Sequence, residues 1–184
     1  MATKVLINLF HPTFKHSRGN KVLADAVSNL PDVTFRHVDS EYDGMKLDVP
    51  KEQKLLADHQ VIVIQHPVMW YSVPPMLKTW YDQVFLRGWA YPAAESKLAG
   101  KTFQLAVTTG SPSDAYRSGG INGFTVSEFL RPQQQTALLC GMNFVPIFAT
   151  QGVIPVAWGG ISDADLAEQA KRYAELVVRH TQSS

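Results

Sequence analysis

Hydrophobic residues along this chain come in short runs separated by spaced sets. Val5 to Phe10 (VLINLF), Val33 to Val38 (VTFRHV), Val61 to Ile64 (VIVI), Thr102 to Thr108 (TFQLAVT) and Phe144 to Thr150 (FVPIFAT) are short and mostly apolar. Such runs suit strands covered on both faces. Between them the apolar positions change period. Val22, Leu23, Ala26, Val27 and Leu30 share one face of a helix starting near Asn20. Pro50 opens a helix reaching His59, which carries Leu55 and Leu56 inward. Pro74 and Pro75 open the next, with Met76, Leu77, Trp80, Val84 and Phe85 on its apolar side and Lys78 paired with Asp82 outside. A further helix covers Val126 to Cys140, bent or broken at Pro132. The last runs from Ser162, its cap, to His180, with Leu166, Ala170, Tyr173, Ala174 and Val177 at helical spacing.

The order βαβαβαβαβα predicts an α/β protein: a flavodoxin-like, doubly wound, five-stranded parallel sheet of order 2-1-3-4-5 with helices on both faces. Residues 1–184 are expected to form one domain, since a chain of 184 residues falls within the usual single-domain range.

Composition narrows the function classes. Seventeen basic against sixteen acidic residues give a net charge of +1, which argues against a nucleic-acid footprint or a polybasic membrane arm. The one cysteine, Cys140 in TALLCGM, cannot form an internal disulfide and reads as core filler. The first apolar run is too short for a secretion signal, and no run approaches the ~18 residues of a membrane span. The expected location is the cytoplasm. Six histidines show no metal spacing, and HExxH, CxxC, GxGxxG and GxSxG are absent. A receiver-domain switch would need an acidic residue where the third strand ends, and His66-Pro67 stands there.

In open parallel sheets ligands bind beyond the carboxyl ends of the strands. Three loops leave those ends. The first offers His11, Ser17, Arg18 and Asn20 before a helix start, a setting that suits a phosphate; Ser17 as a simple cap is the alternative. The second, His66 to Pro75, holds Val68, Met69, Trp70 and Tyr71 between prolines. Stiffly held aromatics suit a flat heteroaromatic ring, although core or interface packing would explain them as well. The third, Thr109 to Gly123, is rich in glycine and serine around Tyr116; it is either a close-approach loop or a mobile surface loop.

HPVMWYSVPPMLKTWYDQVFLRGWAY, TTGSPSDAYRSGGING and HPTFKHSRGNK together resemble the flavodoxin-like NAD(P)H:quinone reductases. That family includes DT-diaphorase-type enzymes and the KefF- and KefG-type ancillary subunits of glutathione-gated potassium efflux systems. The resemblance covers nearly the whole chain, and the RGWAY segment and short length are most similar to the ancillary branch. It implies a homodimer and ping-pong, two-electron hydride transfer from NAD(P)H through flavin (FMN, or FAD) to a quinone or similar acceptor. It also implies that His11, Ser17, Arg18 and Asn20 surround the flavin phosphate and ribityl tail. Pro67, Val68, Met69, Trp70 and Tyr71 would meet the ring, and Thr108, Thr109, Gly110 and Ser111 its other edge. Tyr116 would stabilise charge on the reduced flavin. Asn122 stands where the diaphorase type has a proton-carrying histidine, and an asparagine amide cannot take up a proton. Trp80 to Tyr91 is an expected contact between copies. Two rival readings accompany this one. The first is a flavin-holding regulatory subunit of a potassium efflux transporter, peripheral on the membrane and with weak or no turnover. The second is a flavodoxin-type electron carrier, disfavoured by the near-neutral charge.

Overall fold

Each apolar run does enter one parallel sheet. A computed structural model describes residues 3–182. Its strands are β1 (Val5–Leu9), β2 (Val33–His37), β3 (Val61–Pro67), β4 (Thr102–Thr109), β5 (Asn143–Phe144) and β6 (Phe148–Gln151). The helices are α1 (Gly19–Val27), α2 (Val49–Asp58), α3 (Pro75–Val84), α4 (Val126–Phe129), α5 (Arg131–Leu139) and α6 (Asp163–Gln182). The sheet runs β2-β1-β3-β4-β5, with β6 also pairing β4. Alternate residues feed two cores. Leu6, Ile62 and Ile64 pack under Leu56, Leu77, Trp80 and Ala137. Val5, Ile7, Val61 and Val63 pack under Leu23 and Val27 of α1 and Ala170, Tyr173 and Val177 of α6.

Two elements differ from the sequence expectation, and both differences trace to proline. The run Phe144 to Thr150 is two strands, not one. Phe103 pairs with Phe144 and Ala106 with Phe148, so Val145, Pro146 and Ile147 face only Gln104 and Leu105. This is a bulge on an edge strand, built around a residue without an N–H. Gln104 repairs it by donating to the Pro146 carbonyl at 2.8 Å. The helix expected over Val126 to Cys140 breaks at Leu130, because Pro132 sits in the first turn of α5. In the segment Trp80 to Tyr91, Trp80, Tyr81, Phe85 and Ala90 turn into the core, and Leu86 is left exposed. Elsewhere Cys140 is buried, Lys78 pairs with Asp82, and Ser162 Oγ accepts from the Asp165 amide, as expected. Among the described residues no helix is long and apolar enough to cross a membrane.

One buried polar cluster braces the sheet face beside the α3 helix. Glu52, on α2 one turn before Leu56, is fully buried. Its carboxylate accepts from Arg36 at 2.6 and 2.7 Å, from Trp80 Nε1 at 2.7 Å and from the Tyr42 hydroxyl at 2.5 Å. Arg36 also donates two 2.8 Å bonds to Glu41. Burial, reinforced by the bond to Glu52, pushes the Tyr42 phenol up to about 12.

β3 runs two residues past Gln65, carrying His66 into the core rather than into the loop. Nδ1 of His66 lies 2.9 Å from the Pro67 carbonyl, while Nε2 is buried with no partner. Burial depresses this imidazole from 6.5 to about 4. Between those pH values the unfolded chain binds a proton that the folded chain does not, so stability falls as pH drops through that window. The contribution at stake is roughly 3 kcal/mol. Urea unfolding between pH 7 and 4 should show this slope, and His66→Gln should flatten it. A variant with the wild-type slope would assign the titration elsewhere.

Candidate functional site

The loop after β3 is built as a tight reverse turn. Met69 N donates to Ser72 O and Ser72 N to Met69 O, both at 3.0 Å. Trp70 and Tyr71 occupy the two central positions with φ of 48° and 63°. That pattern matches a type I′ turn, which normally selects Asn-Gly because left-handed backbone strains a side chain with a Cβ. Two large aromatics therefore sit where the backbone disfavours them, and Trp70 is 92% exposed. Such an outlier points to function. Val68 N holds the loop to the Thr108 carbonyl at 2.8 Å. Pro74 and Pro75 then start α3.

The third loop closes over this turn. Tyr71 donates to Asn122 Oδ1 at 3.3 Å. Phe129 of α4 anchors the group: its ring lies 4.9 Å from Tyr71, 6.4 Å from Tyr116 and 5.7 Å from Phe124. A capping box between Thr125 and Glu128 holds that short helix in place. Val68, Trp70, Tyr71, Gly110, Ser111, Tyr116 and Asn122 line one open cleft of about 220 Å³. All seven are residues the sequence singled out. Asn122 Nδ2 is buried there without a partner, a donor suited to an acceptor atom of a bound ring. A larger cleft of about 380 Å³ between α3 and α5 gathers none of these candidates.

Beneath the cleft the strand ends are tied together. Asn20 Nδ2 donates to Thr108 Oγ1 at 2.8 Å, and Gln65 Nε2 donates to the Asn20 carbonyl at 3.0 Å. These bonds hold the start of α1 over the ends of β3 and β4. Thr109 Oγ1 donates to the Ser111 carbonyl at 3.0 Å. Pro67 ends β3 and Thr108 and Thr109 end β4, next to the cleft but not among its lining residues, and the Met69 backbone closes the aromatic turn. Ser17 Oγ accepts from the Asn20 amide at 3.2 Å, so it caps α1 as the simpler reading of that loop expects. His11 is fixed through its backbone, with its amide on Asp39 at 2.9 Å and its carbonyl 3.0 Å from His37 Nε2. Burial, aided by the neighbouring His37, lowers the His11 imidazole below its ordinary value.

Arg18 does not join this group. Its guanidinium turns to the segment before α6, donating to the carbonyls of Ile154 and Ile161 and to the Asp163 carboxylate. The segment from Gly152 to Ile161 was not singled out by the sequence, yet it abuts the site. Gly152 N donates to Ser111 O at 2.8 Å and Val153 N to Thr109 O at 3.0 Å. Its legible signal was the Gly159-Gly160 pair, since a Cβ at Gly160 would lie 1.8 Å from the Ile154 carbonyl.

Comparison with known proteins places the fold in a known family. A family model described as "flavodoxin-like fold" matches residues 3–177. The chain is 41% identical to the uncharacterized NAD(P)H oxidoreductase YdeQ of Bacillus subtilis, over 95% of this chain and 86% of YdeQ. It is 37% identical to the glutathione-regulated potassium-efflux system ancillary protein KefG of Enterobacter sp., over 94% of this chain and 91% of that one. The crystal structure of general stress protein 14 from Treponema denticola in complex with FMN superposes with a TM-score of 0.87 at 34% identity, covering 96% of this chain and 99% of that chain.

Proposed function

This chain belongs to the family with the flavodoxin-like fold, and from that premise we propose that it is an FMN-dependent NAD(P)H oxidoreductase that passes two electrons to a quinone. The observation that carries the reading is the strained, exposed Trp70-Tyr71 turn, set across an open cleft from Tyr116 and Asn122. The residues fit a flavin: aromatic side chains for its ring, the buried, unpartnered Asn122 Nδ2 for an acceptor atom, and a helix start for its phosphate. When bound, the flavin supplies the two-electron chemistry.

The chain's own groups bind and orient. Trp70 and Tyr71 present flat faces, with Pro67, Val68 and the Met69 backbone fixing them. Gly110 and Ser111, above Thr108 and Thr109, bring backbone close to the opposite edge. Tyr116 and the Asn122 amide offer donors where negative charge accumulates on reduction. His11, Ser17 and Asn20 frame the phosphate end at the start of α1. The cleft is open on one side, so nicotinamide and quinone would occupy the same face in turn. That arrangement requires ping-pong kinetics. We place the protein in the cytoplasm and expect a homodimer, whose second copy would cover the exposed Trp70, Ile121 and Phe124 around the cleft.

Similarity to KefG supports a second reading, an ancillary subunit that holds flavin and docks on a potassium efflux transporter. Steady-state oxidation of NADPH by the FMN-loaded protein with a soluble quinone separates the two. The enzyme reading expects turnover with parallel double-reciprocal lines, and absence of turnover would favour the ancillary one. Asn122→His tests proton delivery at this position. If delivery limits the rate, turnover with quinone rises roughly tenfold or more, toward the gain expected of a positioned acid. An unchanged or lower rate would show that residue 122 is not the bottleneck.

A further inference from the structure

Arg18 lies in the loop that frames the phosphate end, and its charge invites assignment to the phosphate. The geometry points elsewhere: we propose that Arg18 is a positioning residue, which latches the Gly152–Ile161 segment onto the flavin site and does not itself hold the phosphate. The proposal rests on the flavin reading of the cleft.

The guanidinium has five N–H donors in a fixed fork. NH1 donates to the Ile154 carbonyl at 3.2 Å, and NH2 to the Ile161 carbonyl at 2.7 Å and to Asp163 Oδ1 at 2.7 Å. Nε reaches the same Asp163 oxygen at 3.2 Å. Four of the five are therefore committed, and they hold both ends of one segment. That segment is closed on itself by Ile161 N donating to Gly152 O at 2.9 Å. It is fastened to the third site loop through the Ser111 and Thr109 carbonyls. It also packs against α1 and the third loop: a Cβ added at Gly19 would lie 2.8 Å from Val153 Cγ1, and one added at Gly110 would lie 3.2 Å from Ile154 Cγ2. Arg18 thus joins the loop at the phosphate end to the loop at the ring edge, by way of a third segment that carries the exposed Trp158. Asp163 is 89% exposed, so the ion pair contributes little and the two carbonyl bonds carry the latch.

The test compares wild type, Arg18→Met and Arg18→Lys. A lysine keeps the charge and cannot span two carbonyls. Two measurements are made: affinity of the apoprotein for FMN and for riboflavin, which lacks the phosphate, and the rate of limited proteolysis within residues 155–160 of the apoprotein. A latch predicts that both variants lose FMN and riboflavin by the same factor, about tenfold as for one or two net hydrogen bonds. It also predicts faster cleavage in that segment with no flavin present. A phosphate ligand predicts a loss confined to FMN, partly restored by lysine, with wild-type proteolysis; that result would overturn the proposal. Unchanged affinities together with unchanged cleavage would overturn it too. Wild-type protein that takes up neither flavin would refute the reading of the cleft, while the proteolysis comparison would still decide the latch.

Discussion

Glu52→Ala lowers the free energy of unfolding by about 3–5 kcal/mol, the range seen when one partner of a buried ion pair is removed. The cost comes less from lost attraction than from what is left behind. Arg36 has 6% of its side chain exposed and keeps only Glu41 as a counter-charge. Trp80 Nε1 and the Tyr42 hydroxyl lose their acceptor in the same step. Neither Trp80, fully buried against Phe10 at 5.5 Å, nor Arg36 can turn to water without unpacking the core. Urea unfolding at pH 7 reads the effect directly. The double variant Arg36→Met, Glu52→Leu should lose much less than the single one, because it removes both charges. A single variant within 1 kcal/mol of wild type would mean that the cluster is hydrated and structurally unimportant.

The second large effect is on flavin affinity. Trp70→Ala with Tyr71→Ala should weaken FMN binding roughly a hundredfold, since stacking on an aromatic side chain contributes about 1–3 kcal/mol per ring. Their location predicts a folded variant: both rings project from an exposed turn and carry none of the core. A sharper version replaces Trp70-Tyr71 by Asn-Gly, the pair that type I′ turns favour. Relieving left-handed backbone at both positions should leave stability equal or higher, while FMN affinity falls as in the alanine variant. Retained affinity in the Asn-Gly protein would show that the turn matters and its aromatics do not. This pattern also explains how strain survives at these two positions: the site keeps side chains that the fold would do better without.

Much of this was legible in the sequence, and the failures have physical causes. Continuous apolar runs gave away the central parallel strands β1 and β3, because a strand buried on both faces has no polar face to show. The seven residues lining the cleft came from the two loops after β3 and β4, which sheet topology brings to one edge, and the first loop contributes none of them. The reverse turn at Trp70-Tyr71 was not legible: turns with positive φ are recognised by glycine and asparagine, and neither is present. The partners of Arg18 were hidden for a related reason. A cation near a helix start reads as an anion ligand, and the carbonyls that claim it come from more than 130 positions along the chain. Glu52 was not singled out, because a carboxylate is rarely buried, although its spacing from Leu56 places it on the buried face of α2. Pro132 announced a break, whereas Pro146 was read through as part of one strand; what each breaks into depends on β4 and α4, which single-residue preferences do not encode.

The most direct test of the central claim is flavin content. Apoprotein incubated with excess FMN or FAD, freed of unbound ligand, should show a bound flavin spectrum, and denaturation should release FMN at one per chain, identified by its mass. Protein that stays colourless and takes up neither nucleotide would contradict the account.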